Sequence, residues 1–185
     1  MEKTACFIIA DGTEVTEYLA TKDVLERAGI RVKEFGNGFK YQDGVKDHYF
    51  RFDPQDFDAI IFPGGSRGTE NILYQTTQEP FGTRIKQMAS SGKLVAAICA
   101  APSILGKLGI LKYRRYTCYP GFSSSEFGGT YTGGTIEIDK NIITARSMYY
   151  SVDFGLAIVQ YLLGKAKRDE IESQVKGLKP KSYSY

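Results

Sequence analysis

Short apolar runs that alternate with helical patterns are the feature that most constrains the fold of this chain. The nearly continuous runs are Thr4 to Ala10, Ala59 to Phe62 and Leu94 to Ile98. Runs of this length without polar alternation are typical of strands buried on both faces. Helical spacing of apolar residues between and after them predicts helices over residues 14–28, about 79–90 and 100–108. The alternation predicts an α/β fold with a mostly parallel sheet covered by helices on both faces.

Weaker patterns fill in the rest of the chain. They predict strands over Arg31–Phe35 and Tyr113–Cys118, a hairpin over Phe39–Phe52 around Asp43-Gly44, a second hairpin joining Thr135–Ile138 to Ile142–Thr144, and a helix over Ser151–Leu163. The tail from Lys176 to Tyr185 is polar. With 185 residues and no internal repeat, we expect residues 1–185 to form a single domain.

Charge, cysteine and histidine counts exclude several classes of protein. The net charge is only +3 and the basic residues are spread out, so we expect no specific nucleic-acid partner. The apolar runs are far shorter than the roughly 20 residues that cross a bilayer, so we expect no membrane span. One histidine, His48, excludes a multi-histidine metal centre. Three cysteines at no metal-ligand spacing favour a reduced, cytoplasmic location and no metal site.

The junction after the strand Leu94–Ile98 is the strongest candidate for chemistry. Cys99 lies between this strand and the following helix, with small residues on both sides that permit a sharp nucleophile elbow. A helix N-terminus favours the thiolate, so we expect Cys99 to be reactive with a depressed pKa. The alternative is a buried structural cysteine, because cysteine is also a common small core residue.

Two other strand ends carry candidate site residues. Gly64 and Gly65 follow the strand Ala59–Phe62, where they form either a simple turn or an anion-binding backbone that acts with the Ala100 amide. Glu14 and Glu17 follow the first strand, where they are either site residues or acids favoured at a helix N-terminus. The carboxyl ends of parallel strands meet at one edge, so these residues are expected to lie near Cys99.

Six segments in the same order resemble the DJ-1/ThiJ/PfpI superfamily, and in particular its DJ-1 branch. They are Ala10 to Glu17, Arg27 to Ile30, Phe62 to Gly65, Ala96 to Pro102, Thr144 to Arg146 and Asp153 to Val159. The resemblance implies a flavodoxin-like (Rossmann-like) three-layer sandwich, a homodimer and no cofactor. It also implies an oxidation-prone nucleophile at Cys99 and a protonated carboxyl at Glu17. The binding residues that we expect from this resemblance are Gly64, Gly65, Ala100, Tyr119 and Arg146.

Three departures from the family pattern bear on activity. Ala100 stands where protease-like members have a histidine, so peptidase activity is not expected. Tyr119 stands where the DJ-1 branch often has a histidine, and tyrosine is a poor general base at neutral pH. Ser147 to Tyr150 replaces a usual Gly-Pro-Gly-Thr, so bulky side chains are expected to narrow the pocket.

Two functions stay open at this point, and so does the position of Cys118. In the first function, Cys99 attacks a small 2-oxoaldehyde such as methylglyoxal or its protein adducts, the glyoxalase III or deglycase-like activity that the resemblance implies. In the second, Cys99 is a non-catalytic oxidant sensor that goes to the sulfinate, in a redox-regulated chaperone. His48 is expected to be structural and Cys6 to lie in the core. Cys118 lies either in the core or at the rim of the site.

Overall fold

The apolar runs form the centre of a six-stranded sheet. The computed structural model describes residues 1–37 and 47–178. In chain order the elements are β1 (Thr4–Ala10), α1 (Val15–Arg27), β2 (Arg31–Asn37), β3 (Ala59–Phe62), α2 (Ser66–Thr76), α3 (Phe81–Ser90), β4 (Leu94–Ile98), α4 (Pro102–Lys107), β5 (Arg115–Tyr116), β6 (Thr130–Tyr131), β7 (Ile136–Asp139), β8 (Ile142–Ala145), α5 (Ser151–Leu163) and α6 (Lys165–Val175).

Five of the six strands of this sheet are parallel. The strand order is β2-β1-β3-β4-β8-β7, and only β7 runs antiparallel, as the second arm of a hairpin with β8. Cys6 pairs with Ile60 in β3, and Ile61 pairs with Ala96 in β4. The strands β1, β3, β4 and β8 therefore end at the same edge of the sheet, which is where the candidate residues follow.

Helices cover both faces of the sheet and bury two separate layers of side chains. On one face, Ile8 and Ile60 belong to a core cluster with side chains of α2, α3 and α4 such as Ile72. On the other face, Phe7 belongs to a cluster with side chains of α1, α5 and α6 such as Phe154. Burying a large apolar side chain contributes about 1.5–3 kcal/mol, so these two layers supply most of the stability. The predicted flavodoxin-like three-layer sandwich is confirmed.

Several predicted elements differ in extent from the observed ones. Helices α2 and α6 were not predicted, because each is largely polar; in α6 only Ile171 is buried. The predicted strand Tyr113–Cys118 is two residues long and pairs with β6 in a separate sheet. Helix α3 begins at Phe81 rather than Glu79, directly after Pro80.

The predicted hairpin around Asp43-Gly44 lies mostly outside the described residues. Its last part is a short 3-10 helix, Tyr49–Arg51, rather than a strand. His48 caps this helix, with Nδ1 accepting from the Phe50 N–H at 3.4 Å and its ring stacked on Phe50. These contacts give His48 a structural role. Residues 179–185 of the predicted polar tail also lie outside the described part.

None of the helices within residues 1–37 and 47–178 is long and apolar enough to cross a membrane.

We predict that Asn141→Ala lowers the free energy of unfolding by about 2 kcal/mol. Asn141 lies in the turn between β7 and β8, is 7% exposed, and donates from Nδ2 to the carbonyls of Ala89 (2.8 Å) and Lys93 (2.9 Å). The substitution leaves both carbonyls without this donor. Urea denaturation measures the change, with the exposed Gln87→Ala as a control expected to stay within about 0.5 kcal/mol of wild type. Equal stabilities of the two variants would contradict the prediction.

Candidate active site

Cys99 occupies a strained turn directly after β4. Its φ is 64°, in the left-handed region that side chains other than glycine rarely adopt. Two backbone hydrogen bonds hold it there: the Cys99 N–H donates to the Ala145 carbonyl at 2.9 Å, and its carbonyl accepts from the Tyr119 N–H at 2.8 Å. The sharp turn expected at this junction is present, and the Cys99 side chain is half-buried at a cavity.

Gly64 and Gly65 bring the loop after β3 into backbone contact with its neighbours. A Cβ at Gly64 would lie 2.7 Å from the Ile98 carbonyl oxygen and 2.9 Å from the Cys99 Cβ. Gly65 has a φ of 90°, and a Cβ there would lie 2.4 Å from the Gly12 carbonyl oxygen. Neither position has room for a side chain, so the turn between β3 and α2 requires both glycines.

The two acids at the start of α1 have different roles. Glu14 is the N-cap of the helix, and its Oε2 accepts from the Glu17 N–H at 2.7 Å. Glu17 is 0% exposed and its Oε1 accepts from the Gly64 N–H at 3.1 Å. The second oxygen, Oε2, is buried and accepts no hydrogen bond from a nitrogen or oxygen donor among the described residues. The remaining partner of the Glu17 side chain is the Cys99 thiol. A buried carboxyl beside a thiol is well placed to hold or exchange a proton.

Burial changes the ionisation of both Glu17 and Cys99. It raises the pKa of Glu17 from 4.5 to about 8, and the nearby charge of Glu14 adds to this shift. Burial, together with the charge and the hydrogen bond of Glu17, raises the pKa of the Cys99 thiol from 9.0 to about 12. The amides of Ala100 and Gly65 lower the Cys99 pKa but do not outweigh these causes.

The expected depression of the Cys99 pKa is therefore wrong. The amides at the elbow act in the expected direction, but they face a desolvated sulfur beside a carboxyl. At neutral pH both the thiol and the carboxyl hold their protons. Formation of a thiolate at Cys99 therefore needs a proton acceptor, and Glu17 is the titratable side chain that interacts with the thiol.

The Cys99 cavity has a volume of about 490 Å³ and opens at the carboxyl edge of the sheet. Segments from five places on the chain contribute to it. The lining residues are Glu14, Glu17, Gly65, Ser66, Cys99, Ala100, Tyr119, Phe122, Ser147, Met148 and Tyr149.

The cavity includes five of the seven predicted site residues: Cys99, Glu17, Gly65, Ala100 and Tyr119. The other two lie behind it. Gly64 is buried beneath the site and donates to Glu17. Arg146 points its guanidinium at the Tyr150 hydroxyl, 2.8 Å from Nη2, and at the Gly133 carbonyl, 3.2 Å from Nη1.

Sequence reasoning missed Phe122 and Ser66 as lining residues. Phe122 belongs to the same short loop as Tyr119, so its proximity could have been inferred once Tyr119 was placed at the site. Ser66 opens helix α2, which the sequence did not predict. The bulky segment Ser147–Tyr149 does line the cavity, as its replacement of small residues suggested.

The remaining cysteines are in the core. Cys6 and Cys118 are both 0% exposed, and burial raises the pKa of Cys118 to about 11. The core alternative for Cys118 is therefore the correct one. Within residues 1–37 and 47–178, no group of three or more histidine, cysteine or acidic side chains could hold a metal ion.

Comparisons with known proteins agree on one family. The model of the DJ-1/PfpI family matches residues 3–161. The chain is 34% identical to Protein dj-1beta of Drosophila melanogaster, over 92% of this chain and 95% of that protein. It is 30% identical to the Parkinson disease protein 7 homolog of Danio rerio, over 94% of this chain and 95% of that protein. The crystal structure of Drosophila melanogaster DJ-1beta superposes with a TM-score of 0.82 at 33% identity, covering 96% of this chain and 98% of that one.

We predict that Glu17 makes the stability of the protein fall with rising pH. Because the folded protein binds this proton more tightly than the unfolded chain, the contribution is complete below the ordinary pKa of 4.5 and is lost as pH rises through about 8. The expected loss between about pH 5 and pH 9 is on the order of 3 kcal/mol. The Cys99 thiol, with a raised pKa of about 12, adds a similar loss only above this range.

Chemical denaturation of wild type and Glu17→Gln across this pH range measures the effect. The amide stays neutral, so the variant should lack this part of the slope. Glu26→Gln, on the exposed side of α1, is the matched control and should keep the wild-type slope. If the free energy of unfolding changes with pH in the same way in wild type and Glu17→Gln, the prediction is wrong and Glu17 is ionised in the folded protein at neutral pH.

Proposed function

Because the chain belongs to the DJ-1/PfpI family and is a stress-response protein of the DJ-1 type, we propose that it converts small 2-oxoaldehydes such as methylglyoxal at Cys99 without a cofactor. This is a glyoxalase III or deglycase-like activity, and adducts of the aldehyde on protein amines are the alternative form of the substrate. The observation that carries the proposal is the arrangement at one cavity of a strained cysteine, a buried protonated carboxyl and two amides near the sulfur.

The first step is addition of the thiol to the aldehyde. A bond forms between the Cys99 sulfur and the carbonyl carbon, and the carbonyl becomes a hydroxyl group. Glu17 gives its proton to the carbonyl oxygen and takes up the thiol proton, so Glu17 ends the step protonated and the pair has passed one proton to the new hydroxyl group. The amides of Gly65 and Ala100 are available to stabilise the negative charge that develops on the oxygen.

The second step moves hydrogen within the adduct. Glu17 first releases its proton to water, and its carboxylate then removes the proton from the carbon bound to sulfur and returns it to the neighbouring carbon. The hydroxyl proton passes to the ketone oxygen, so the ketone becomes an alcohol and the carbon bound to sulfur becomes a carbonyl. Glu17 then regains a proton from water. The product is a thioester of a 2-hydroxy acid. Water then hydrolyses the thioester and regenerates the thiol, so methylglyoxal and water give lactate with no oxidant consumed.

A second candidate function is oxidant sensing by Cys99. The observation that favours it is the absence of lysine, arginine and histidine among the described residues that line the cavity, which leaves the thiol without a basic partner. In this role a peroxide oxidises Cys99 to the sulfenate and then to the sulfinate, and the peroxide is reduced to water in each step. Cys6 and Cys118 are buried and so are protected from the same reaction. Sensing uses each protein molecule once, whereas catalysis turns over.

We predict that the wild type forms many equivalents of lactate from methylglyoxal and that Cys99→Ser lowers the rate by at least about a hundredfold. The substitution removes the nucleophile and keeps the size of the side chain. Cys118→Ala is the matched control, because it removes a cysteine from the core and should keep the wild-type rate per folded molecule. Lactate is measured by an enzymatic assay that distinguishes it from unreacted aldehyde.

The outcome of this assay separates the two functions. Less than one equivalent of lactate per chain, together with peroxide-dependent gain of two oxygens at Cys99 in mass spectra, would overturn the catalytic proposal in favour of sensing.

We also propose that the protein is a homodimer, as the resemblance implied. Large apolar side chains are exposed on α1 and α5, where Leu19 and Tyr161 are 45% and 42% exposed. Such a surface is suited to an interface. We predict a mass of about twice the 20.6 kDa of one chain in sedimentation equilibrium at micromolar concentration. A single species with the mass of one chain would contradict this.

A further inference from the structure

Four large side chains form one wall of the cavity beside Cys99. Tyr119, Phe122, Met148 and Tyr149, here called the aromatic wall, line the cavity together with the small residues of the elbow. Tyr149 is 83% exposed, and Met148 and Tyr119 are 48% and 47% exposed. Aromatic and thioether surface of this kind gains free energy when a flat apolar group covers it. The wall therefore offers a binding surface within the reactive cavity itself.

Backbone contacts connect one half of the aromatic wall to the reactive cysteine. The Tyr119 N–H donates to the Cys99 carbonyl at 2.8 Å, and the Phe122 N–H donates to the Tyr119 carbonyl at 3.1 Å. The two rings meet edge to face, with centroids 6.4 Å apart. This half of the wall is consequently fixed relative to the backbone of the elbow.

A chain of contacts from Arg146 supports the other half. The Arg146 Nη2 donates to the Tyr150 hydroxyl at 2.8 Å, and the guanidinium carbon lies 5.2 Å from the centroid of the Tyr150 ring. Tyr150 in turn meets the Tyr149 ring edge to face at a centroid distance of 5.1 Å. Arg146 does not line the cavity, and it acts on the wall through Tyr150. We therefore regard it as a positioning residue.

The charges around the cavity disfavour anionic ligands. Among the described residues that line it, the carboxyls are Glu14 and Glu17, and no lysine, arginine or histidine is present. The guanidinium of Arg146 is directed to Tyr150 and to a backbone carbonyl. A carboxylate that entered the cavity would lose solvation and meet the charge of Glu14 without a compensating cation. A neutral carbonyl compound meets no such barrier.

We propose that the aromatic wall is an aryl-binding subsite, through which Cys99 reacts preferentially with neutral aryl carbonyl compounds and discriminates against carboxylates. Phenylglyoxal is the simplest 2-oxoaldehyde of the favoured class, and glyoxylate represents the disfavoured class. The reaction rests on the proposed function, whereas the selectivity rests on the wall. The covalent step is the addition already described: the sulfur–carbon bond forms and the carbonyl becomes a hydroxyl group.

Alkylation of Cys99 tests the subsite without any turnover. The probes are iodoacetamide, N-phenyliodoacetamide and iodoacetate, which all form a sulfur–carbon bond and release iodide. Glutathione under the same conditions gives the intrinsic ratio of their rates. For each reagent we take its alkylation rate relative to that of iodoacetamide and divide the value for Cys99 by the value for glutathione. This quotient should be about ten for N-phenyliodoacetamide and about one tenth for iodoacetate. Mass spectrometry of the Cys99 peptide gives the rates.

Variants assign the preference to individual residues. The phenyl preference is the rate of N-phenyliodoacetamide relative to iodoacetamide, corrected with glutathione. Tyr149→Ala should lower this preference severalfold. Tyr74→Ala is the control and should keep it, because Tyr74 is a 66% exposed tyrosine on α2 that does not line the cavity. Arg146→Gln should lower the preference and Arg146→Lys should restore part of it, because lysine keeps a donor for Tyr150. A ratio equal to that of glutathione in the wild type, or an unchanged ratio in Tyr149→Ala, would overturn the subsite.

Turnover assays keep this inference separate from the proposed function. Initial rates with phenylglyoxal and methylglyoxal, taken before arginine side chains are modified, should give a kcat/KM ratio above one that falls in Tyr149→Ala. Methylglyoxal turnover without a phenyl preference in either assay would overturn the subsite and leave the proposed function standing. Phenyl-selective alkylation with no turnover of either aldehyde would overturn the proposed function and support the subsite.

Discussion

Two hydrogen bonds between the start of helix α1 and Gly64 hold the reactive end of this protein together. The Glu14 N–H donates to the Gly64 carbonyl at 3.0 Å, and the Gly64 N–H donates to Glu17 Oε1 at 3.1 Å. Each contributes about 1 kcal/mol, but their geometric effect is larger, because they fix the buried carboxyl beside the elbow. A side chain at residue 64 would collide with Ile98 and Cys99 and separate the two loops. The loops after β1, β3 and β4 thus depend on one another.

The electrostatics of the site follow from this close packing. The Glu17 carboxyl and the Cys99 thiol are buried side by side without a cation. Both pKa values are therefore raised, and the neutral form of each group is favoured. A neutral thiol is a weak nucleophile, so a reaction at Cys99 needs a proton acceptor. Under the proposed function that acceptor is Glu17, and the amides of Gly65 and Ala100 stabilise the negative charge that develops on a bound reactant. In that case the residues that line the cavity matter for the reaction as much as the cysteine does.

The strands and the elbow could be predicted from sequence because their signals are local. Continuous apolar runs predicted β1, β3 and β4, and the small residues around Cys99 predicted the sharp turn. Helix α2 escaped prediction since it presents few apolar residues: of its buried residues only Ile72 is a large apolar one, and Gly68 lies close to the backbone of Thr13. The predicted direction of the Cys99 pKa shift was wrong for a related reason. Burial of sulfur against Glu17 arises from the meeting of distant segments, and no pattern within either segment encodes it.

The conformation of Cys99 separates what the fold requires from what the chemistry requires. At a φ of 64° a residue with a Cβ is less stable than glycine by about 1 kcal/mol. Glycine at residue 99, directly after β4, would therefore make the fold more stable than cysteine does, as Gly64 and Gly65 do after β3. The protein forgoes that stability at Cys99, where a sulfur atom reaches the cavity; the other described non-glycine residues with positive φ, Tyr113 and Lys140, do not line it. Folding stability alone therefore gives no reason for a side chain at residue 99.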